Sequence, residues 1–493
     1  MGFRIAALGL LLGPGFVPAA APPWDETEIK KTIEAMREAW QAPGLAVVVV
    51  KDGKVLHLAG YGTKTLGKND PVTPDSLFPL ASCTKAFTSA LAASLVDSGD
   101  LTWDDPVRKH LPTFHLSDPA ADKLVAVRDL LTHRSGLGGH DLLWYRAPWD
   151  ADEVLRRTAK LPLTAPFRGG YQYSSLPFTA AGKAMENRTG RGYAELVRER
   201  LTGPLGMKSA TFTTAEARKS ADRAAGHELH AGKVVPMAEY DLKEADAAGS
   251  MSASARDLGA WVRFQLGDGK FDGKPVVAAP SLAETKQPHT PMRKEGAVAS
   301  IYPDSHQVSY AMGWVVYDHR GKLVVAHGGI LDGFRAQITL LPEEKLGFAM
   351  LNNLHETKLN IALTNTLIDG MLGLEPKDWT AYYRGVDKAE ADEKARAKAK
   401  RDRERKSGVP PTAAPEAHAG DYEHPAYGTG KVKLDGAKLV WEWSSFRTPL
   451  EPWQGEQYRA TAGLFDDDLF EFAVDADGVV TGLSQRGVVF AKK

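Results

Sequence analysis

"FPLASCTKAF", residues Phe78 to Phe87, brings together the chain's only cysteine, Cys83, the serine beside it, Ser82, and a lysine three residues further on, Lys85. An extended run ends here, and a helical pattern, "TKAFTSALAASLVDSG", begins and is stopped by Gly99. Ser82 therefore stands among the unpaired N–H groups of a helix start, with Lys85 one turn away on its face. A serine hydroxyl needs a base to take its proton and donors for the oxyanion that forms on attack, and this segment offers an amine and an amide. Cys83 competes for the same role, because a thiolate is a good nucleophile. No His and Asn pattern of a cysteine hydrolase surrounds it, so it reads as small core filling.

On the N-terminal side, "WDETEIKKTIEAMREAW" has helical spacing with Ile29, Ile33 and Met36 on one face, and "GLAVVVVKDGKVLHLAGYG" reads as two strands about a turn at Asp52-Gly53. From Ser82 to about Arg263 the pattern is mostly helical. Strands return in "YAMGWVVYD", "KLVVAHGG", "FRAQITLLP" and "LGFAMLNN", and "HETKLNIALTNTLIDGML" closes the domain as a helix. A strand pair at the front and a strand cluster near residues 309 to 352 predict one sheet assembled from both ends of a domain.

The boundaries come from shifts in composition. Residues 24–375 form the main domain, and 376–415 hold a solvated helix of charge and alanine and then a Pro/Ala linker. Residues 416–493 form a small all-β module with turns at Asp435-Gly436 and Asp477-Gly478 and no helix. Residues 1–21, with Arg4, a short apolar run and Ala19-Ala20-Ala21, read as a secretory signal peptide, which predicts a secreted or periplasmic protein. A net charge of −1 carries no footprint for nucleic acid, so the partner expected is a small-molecule or peptide substrate. No segment after the leader is apolar enough for a transmembrane helix, one cysteine excludes an intrachain disulfide, and the oligomeric state stays open.

A lone S-x-x-K is a common accident in a chain of this length, and its weight comes from two later motifs. "YQYSSLPF" supplies Tyr173 with Ser175 two residues later, and "VVAHGGIL" supplies His327-Gly328-Gly329 at a strand end. In that order, S-x-x-K, Y-x-S and H-G-G resemble the elements of the serine β-lactamase and penicillin-binding superfamily, in particular its class C and D-alanyl-D-alanine carboxypeptidase branch with esterase-like members. "LTWDDPVRKHLP", "LLTHRSGL", "GPLGMKSATF", "AAGSMSASARDLGAWV" and "GGILDGFRAQITLLPEEKLGFAMLNN" look like the same branch, and the resemblance spans roughly residues 28 to 372. The tail is similar to a β-rich accessory domain often appended to such hydrolases.

The resemblance implies an α/β (α+β) fold, with an antiparallel sheet flanked by helices and a helical subdomain, and the site between them. It implies Ser82 as the acylated nucleophile, Lys85 as the group that helps deprotonate it, and Tyr173 as the general base or acid. The oxyanion hole would be the N–H groups of Ser82 and Ile330, with Ser175, His327, Gly328 and Gly329 as substrate contacts. This chemistry needs no cofactor and no metal.

Two positions depart from the β-lactam-destroying pattern, which carries asparagine where Ser175 stands and lysine where His327 stands. A serine has no amide to hold both a substrate carbonyl and the lysine, and a histidine is largely neutral near pH 7. Both changes point away from efficient penicillin hydrolysis and toward an ester, a D-amino-acid peptide or an amide.

Rival patterns are weaker. His327-Gly328-Gly329 also matches a lipase oxyanion loop, but the chain has no later G-x-S-x-G elbow. "GHELH" places His227 and His230 three apart without H-E-x-x-H spacing, so no metal is expected. In "HRSGLGGHDLLWY", His133, His140, Trp144 and Tyr145 read as a loop of the helical subdomain, and Tyr171 competes with Tyr173. A weak β-lactamase, or a penicillin-binding sensor that stays acylated, is the alternative to a turning-over hydrolase.

Overall fold

The run "GLAVVVVK" forms β1 (Gly44–Lys51) and turns through Asp52 and Gly53, at φ 52° and 73°, into β2 (Lys54–Gly62). Two successive positive φ values match the twist of a tight hairpin, and Asp-Gly adopts them at little cost. The computed structural model describes residues 24–493 apart from 245 and 437, so the leader expected over residues 1–21 lies outside the described residues.

Six strands come late in the chain: β3 (Thr290–Pro291), β4 (Val308–Tyr310), β5 (Val315–His319), β6 (Lys322–Leu331), β7 (Phe334–Leu341) and β8 (Leu346–Asn352). All eight join in one antiparallel sheet, ordered β2-β1-β8-β7-β6-β5-β4-β3. β1 meets β8 with Val47 opposite Met350, so the sheet is built from both ends of the domain. Along β1, Ala46, Val48 and Val50 enter one core with Phe87, Trp261 and Ile338, while Val47 and Val49 enter another with Ile33, Phe348 and Leu363. Burial on both faces is why this strand reads as an unbroken apolar run rather than an alternating one.

α1 (Glu26–Ala39) is capped by Asp25, which accepts the Glu28 N–H at 3.0 Å, and it buries Ile29, Ile33 and Met36 in the second core. On the opposite face of the sheet, α2 (Thr84–Asp97) is buried along most of its length, beside α3 (Leu176–Thr189) and α4 (Ala255–Leu266). α5 (Leu359–Met371) covers the α1 side.

α6 (Trp379–Glu404) corrects the boundary at residue 375. Trp379 and Tyr383, one turn apart, are buried in the second core, and the Trp379 Nε1–H donates to Asp369 Oδ2 at 2.7 Å. The first two turns therefore belong to the main domain, and only the later, charged turns are exposed as expected. Near the far end, Lys398 Nζ reaches Asp467 Oδ1 at 2.9 Å.

Beyond the linker, eight strands from Gly420–His424 to Val488–Lys492 form a closed barrel in which Tyr422 of the first strand faces Lys492 of the last. Its interior packs Tyr422, Trp441, Phe470 and Phe490. Two short helical pieces accompany the strands, Pro415–His418 at the threshold and the 3₁₀ turn Gly463–Phe465, where none was expected. The barrel shares a core with Leu137, Leu143, Val154, Leu161 and Leu176 of the helical subdomain. Polar contacts fix the seam: Arg157 Nη1 donates to the Ala426 carbonyl at 2.9 Å, and Tyr427 Oη lies 2.9 Å from His140 Nδ1. Among the described residues no helix is long and apolar enough to cross a membrane.

Candidate active site

Ser82 occupies a 3₁₀ turn, Ala81–Cys83, that feeds α2, and Ala81 before it is held at φ 46°. β6 passes close against this turn. A Cβ on Gly329 would stand 2.1 Å from the Leu80 carbonyl oxygen and 3.2 Å from Ala81 Cβ, so only glycine permits the approach. β5 pairs with β6 only as far as Ala326, which leaves the edge of β6 from His327 onward without a strand partner on that side. The cleft lies between this free edge and the serine turn.

Two groups converge on Ser82. Tyr173 Oη donates to Ser82 Oγ at 2.9 Å, and Lys85 Nζ donates to the same oxygen at 3.1 Å. Lys85 Nζ also donates to the Ala248 carbonyl at 2.9 Å and to Ser175 Oγ at 3.4 Å. Its side chain is fully buried, and it faces the rings of Tyr173 and Phe178 at 5.1 and 5.4 Å. A buried ammonium is tolerable when all three protons are engaged and aromatic faces surround it. Ser175 heads α3 without capping it through its side chain, which leaves its hydroxyl to Lys85. Of the two candidate tyrosines, Tyr173 is the one at Ser82, while Tyr171 packs edge-on against His133 with centroids 5.8 Å apart.

Two devices that the sequence did not reveal hold this geometry. The first is His133, itself at φ 52°, whose carbonyl accepts the Gln172 N–H at 2.8 Å and whose Nδ1 accepts the Ser174 N–H at 3.3 Å. Both bonds grip the strand of chain on either side of Tyr173, whose ring lies 4.3 Å from the imidazole. Burial, and then the Lys85 charge, push His133 well below its ordinary range, so it is neutral with its proton on Nε2. The second is Asp246, which accepts the Ala248 N–H at 2.7 Å and the Thr179 hydroxyl at 2.6 Å and so fixes the loop whose carbonyl holds Lys85. The sequence signal for His133 was present in "LLTHRSGL", but nothing local tied that loop to Tyr173.

His327 differs from the expected substrate contact. Its ring is buried, with Nε2 2.9 Å from Tyr310 Oη and Nδ1 2.7 Å from the Gly328 carbonyl oxygen. A carbonyl only accepts, so Nδ1 carries the proton, Nε2 accepts from Tyr310, and no ring nitrogen is left for a substrate. Burial, and then Lys85, hold it neutral with its pKa pushed down to about 3. What His327 adds to the site is a neutral neighbour for the buried lysine. Gly328 and Ile330 face the other side of the sheet, and the Ile330 side chain is exposed there, so at the cleft only the Ile330 backbone is on offer.

The remaining candidates fall elsewhere. Cys83 is buried with its Sγ 3.2 Å from the His327 carbonyl oxygen, and burial pushes the thiol up, away from thiolate chemistry. His227 is a structural junction: its Nε2 accepts the Leu66 N–H at 3.0 Å, and its Nδ1 lies 3.0 Å from the Asn353 carbonyl oxygen. His230 is exposed, and among the described residues no cluster of His, Cys, Asp and Glu is arranged to hold a metal. Tyr145 reaches Asp332 beyond the end of β6.

Comparison with known proteins agrees with this architecture. The profile of the family described as Beta-lactamase matches residues 29–368, and a domain of unknown function (DUF3471) matches residues 404–491. The chain is 30% identical over 429 residues to a protein named Unguisins hydrolase ungD' from Aspergillus campestris, covering 82% of this chain and 76% of that one. Among solved structures, the octameric penicillin-binding protein homologue from Pyrococcus abyssi superposes with a TM-score of 0.64 at 22% identity, over 95% of this chain and all of that one. The D-amino acid amidase from Ochrobactrum anthropi gives 0.57 at 24% identity, over 70% of this chain and 97% of that one. At such identities the two structures speak for the fold alone. With the family profile spanning most of the chain, and a serine, a lysine and a tyrosine gathered in its cleft, the chain belongs to the beta-lactamase family of serine hydrolases.

Proposed function

We propose that the chain hydrolyses small esters or amides, those of D-amino acids included, through an acyl-enzyme on Ser82. The observation that carries this reading is the bonding of Ser82 Oγ to Tyr173 Oη at 2.9 Å and to Lys85 Nζ at 3.1 Å. In this reading Tyr173 Oη first gives up its own proton to solvent beside the Lys85 charge, and then takes the Ser82 proton as Oγ attacks the carbonyl carbon. The oxyanion is met by the N–H groups of Ser82 and Ile330. Tyr173 then protonates the departing alcohol or amine, and in the second half-reaction it takes a proton from the attacking water and returns it to the Ser82 Oγ that leaves. Lys85, pinned by Ala248 and Ser175, supplies the positive charge that favours each proton transfer.

The relative named a hydrolase of unguisins supports hydrolysis as the reaction, and the departures at Ser175 and His327 weigh against β-lactams as the main substrates. Labelling with a fluorophosphonate, read by intact mass, tests the assignment: wild type gains one adduct and Ser82→Ala gains none. Equal labelling of the variant sinks the assignment. A stoichiometric burst of product from a chromogenic ester with no later turnover would favour the sensor reading instead.

A further inference from the structure

Beyond the end of β6, a contact joins the helical subdomain to the sheet. Tyr145 and Arg146, on a loop of the helical subdomain, reach Asp332 in the turn after β6, with Tyr145 Oη donating to Oδ2 at 2.8 Å and Arg146 Nη2 at 2.6 Å. Asp332 is buried, so its charge is matched where it would otherwise be costly. The barrel braces this contact from behind. Phe446 stacks on the Tyr145 ring with centroids 6.3 Å apart, and Ser445 Oγ donates to the Arg146 carbonyl at 2.6 Å. The cavity beyond Asp332, bounded by Pro79, Tyr240 and Leu331, measures only about 20 Å³, room for a water and not for a chain.

The proton transfers fix the position of this contact along the cleft. Tyr173, which protonates the leaving group, packs near Tyr310, and Tyr310 holds His327. In the acyl-enzyme reading the leaving group departs on the Tyr173 side, toward the His327 end of β6. The acyl chain runs the other way, past Ile330 and Leu331 toward Asp332, which lies two residues beyond Ile330, or about 7 Å along an extended strand.

We propose that the Asp332–Arg146 pair, with Tyr145, is the end wall of the acyl subsite, and that the barrel sets the acyl length the enzyme accepts by bracing this wall. The inference rests on the acyl-enzyme reading given above. It is tested on the full chain by kcat/KM for p-nitrophenyl acetate and p-nitrophenyl octanoate. In Arg146→Ala and Asp332→Asn the octanoate-to-acetate ratio rises about tenfold or more over wild type, the scale of a changed apolar subsite. Phe446→Ala, in the barrel, moves the ratio in the same direction. An unmoved or falling ratio in Arg146→Ala overturns the proposal. That residue sits on a partly exposed loop, so it carries the test even where Asp332→Asn fails to fold. Ser82→Ala separates the two failures: ester turnover that survives it defeats the acyl-enzyme reading, whereas lost turnover with an unmoved ratio defeats only the wall.

Discussion

Lowering the pH from 7 to 5 destabilises the main domain through His327. The folded protein holds this imidazole neutral, with its pKa near 3, because it is buried beside Lys85 with its only spare lone pair given to Tyr310. In the unfolded chain it titrates at its ordinary value of about 6.5. The folded value is the lower one, so the stabilisation is complete above about pH 6.5 and is lost as the pH falls toward 3. At pH 5 the unfolded chain has gained about 1.5 decades of proton affinity that the folded one lacks, worth about 2 kcal/mol. His133 is shifted in the same direction and adds to the loss. Urea titrations at pH 7 and pH 5, monitored by circular dichroism, measure it. His327→Gln stays neutral and keeps an amide for Gly328 and Tyr310, so its stability should fall by about 2 kcal/mol less than that of wild type over the same interval. Titrating carboxylates elsewhere cancel in the comparison. Equal pH dependence in the two proteins would refute the buried, neutral state assigned to His327.

Gly329→Ala places a methyl where the Leu80 carbonyl oxygen stands and forces the serine turn and β6 apart. The rate of fluorophosphonate labelling should drop by about 10²-fold, the usual penalty for displacing a reacting group by an ångström, and an unchanged rate would show that the close approach is not needed. Nitrocefin should be cleaved with a kcat/KM about tenfold or more below that of a short ester, because Ser175 offers one hydroxyl and His327 no free nitrogen. Parity between the two substrates would overturn that reading of both positions.

Local patterns carried most of the architecture. Asp52-Gly53 marked the first hairpin, and the late strands announced themselves as short β-rich runs between turns. Ser82 and Lys85 were legible together from helix spacing, whereas Tyr173 was placed with them only by the resemblance that its Y-x-S motif carries. What stayed hidden depends on contacts distant in sequence. The barrel closes by pairing Tyr422 with Lys492, and no local signal reports that register. His133 grips Tyr173 across about forty residues of chain, and a histidine in "HRSGL" has no feature that tells a brace from a loop residue. The burial of His327 against Tyr310, which takes its ring out of reach of a substrate, is not encoded in the H-G-G spacing. The packing of the first turns of α6 against the main domain is itself legible in Trp379 and Tyr383, an apolar face ahead of the charge run.

The pairing of β1 with β8 bears on how the protein is made. During synthesis at about 5–20 residues per second, Val47 emerges roughly 15–60 s before its partner Met350. For that interval an almost wholly apolar strand has only β2 for company and is exposed to wrong partners. Ser82 also emerges early, yet β6, which lines its cleft, is translated some 240 residues later, so the nascent chain carries the proposed nucleophile without the strand that packs against it. Under the acyl-enzyme reading, topology works as a timer that keeps the Ser82 hydroxyl idle until the domain around it is complete.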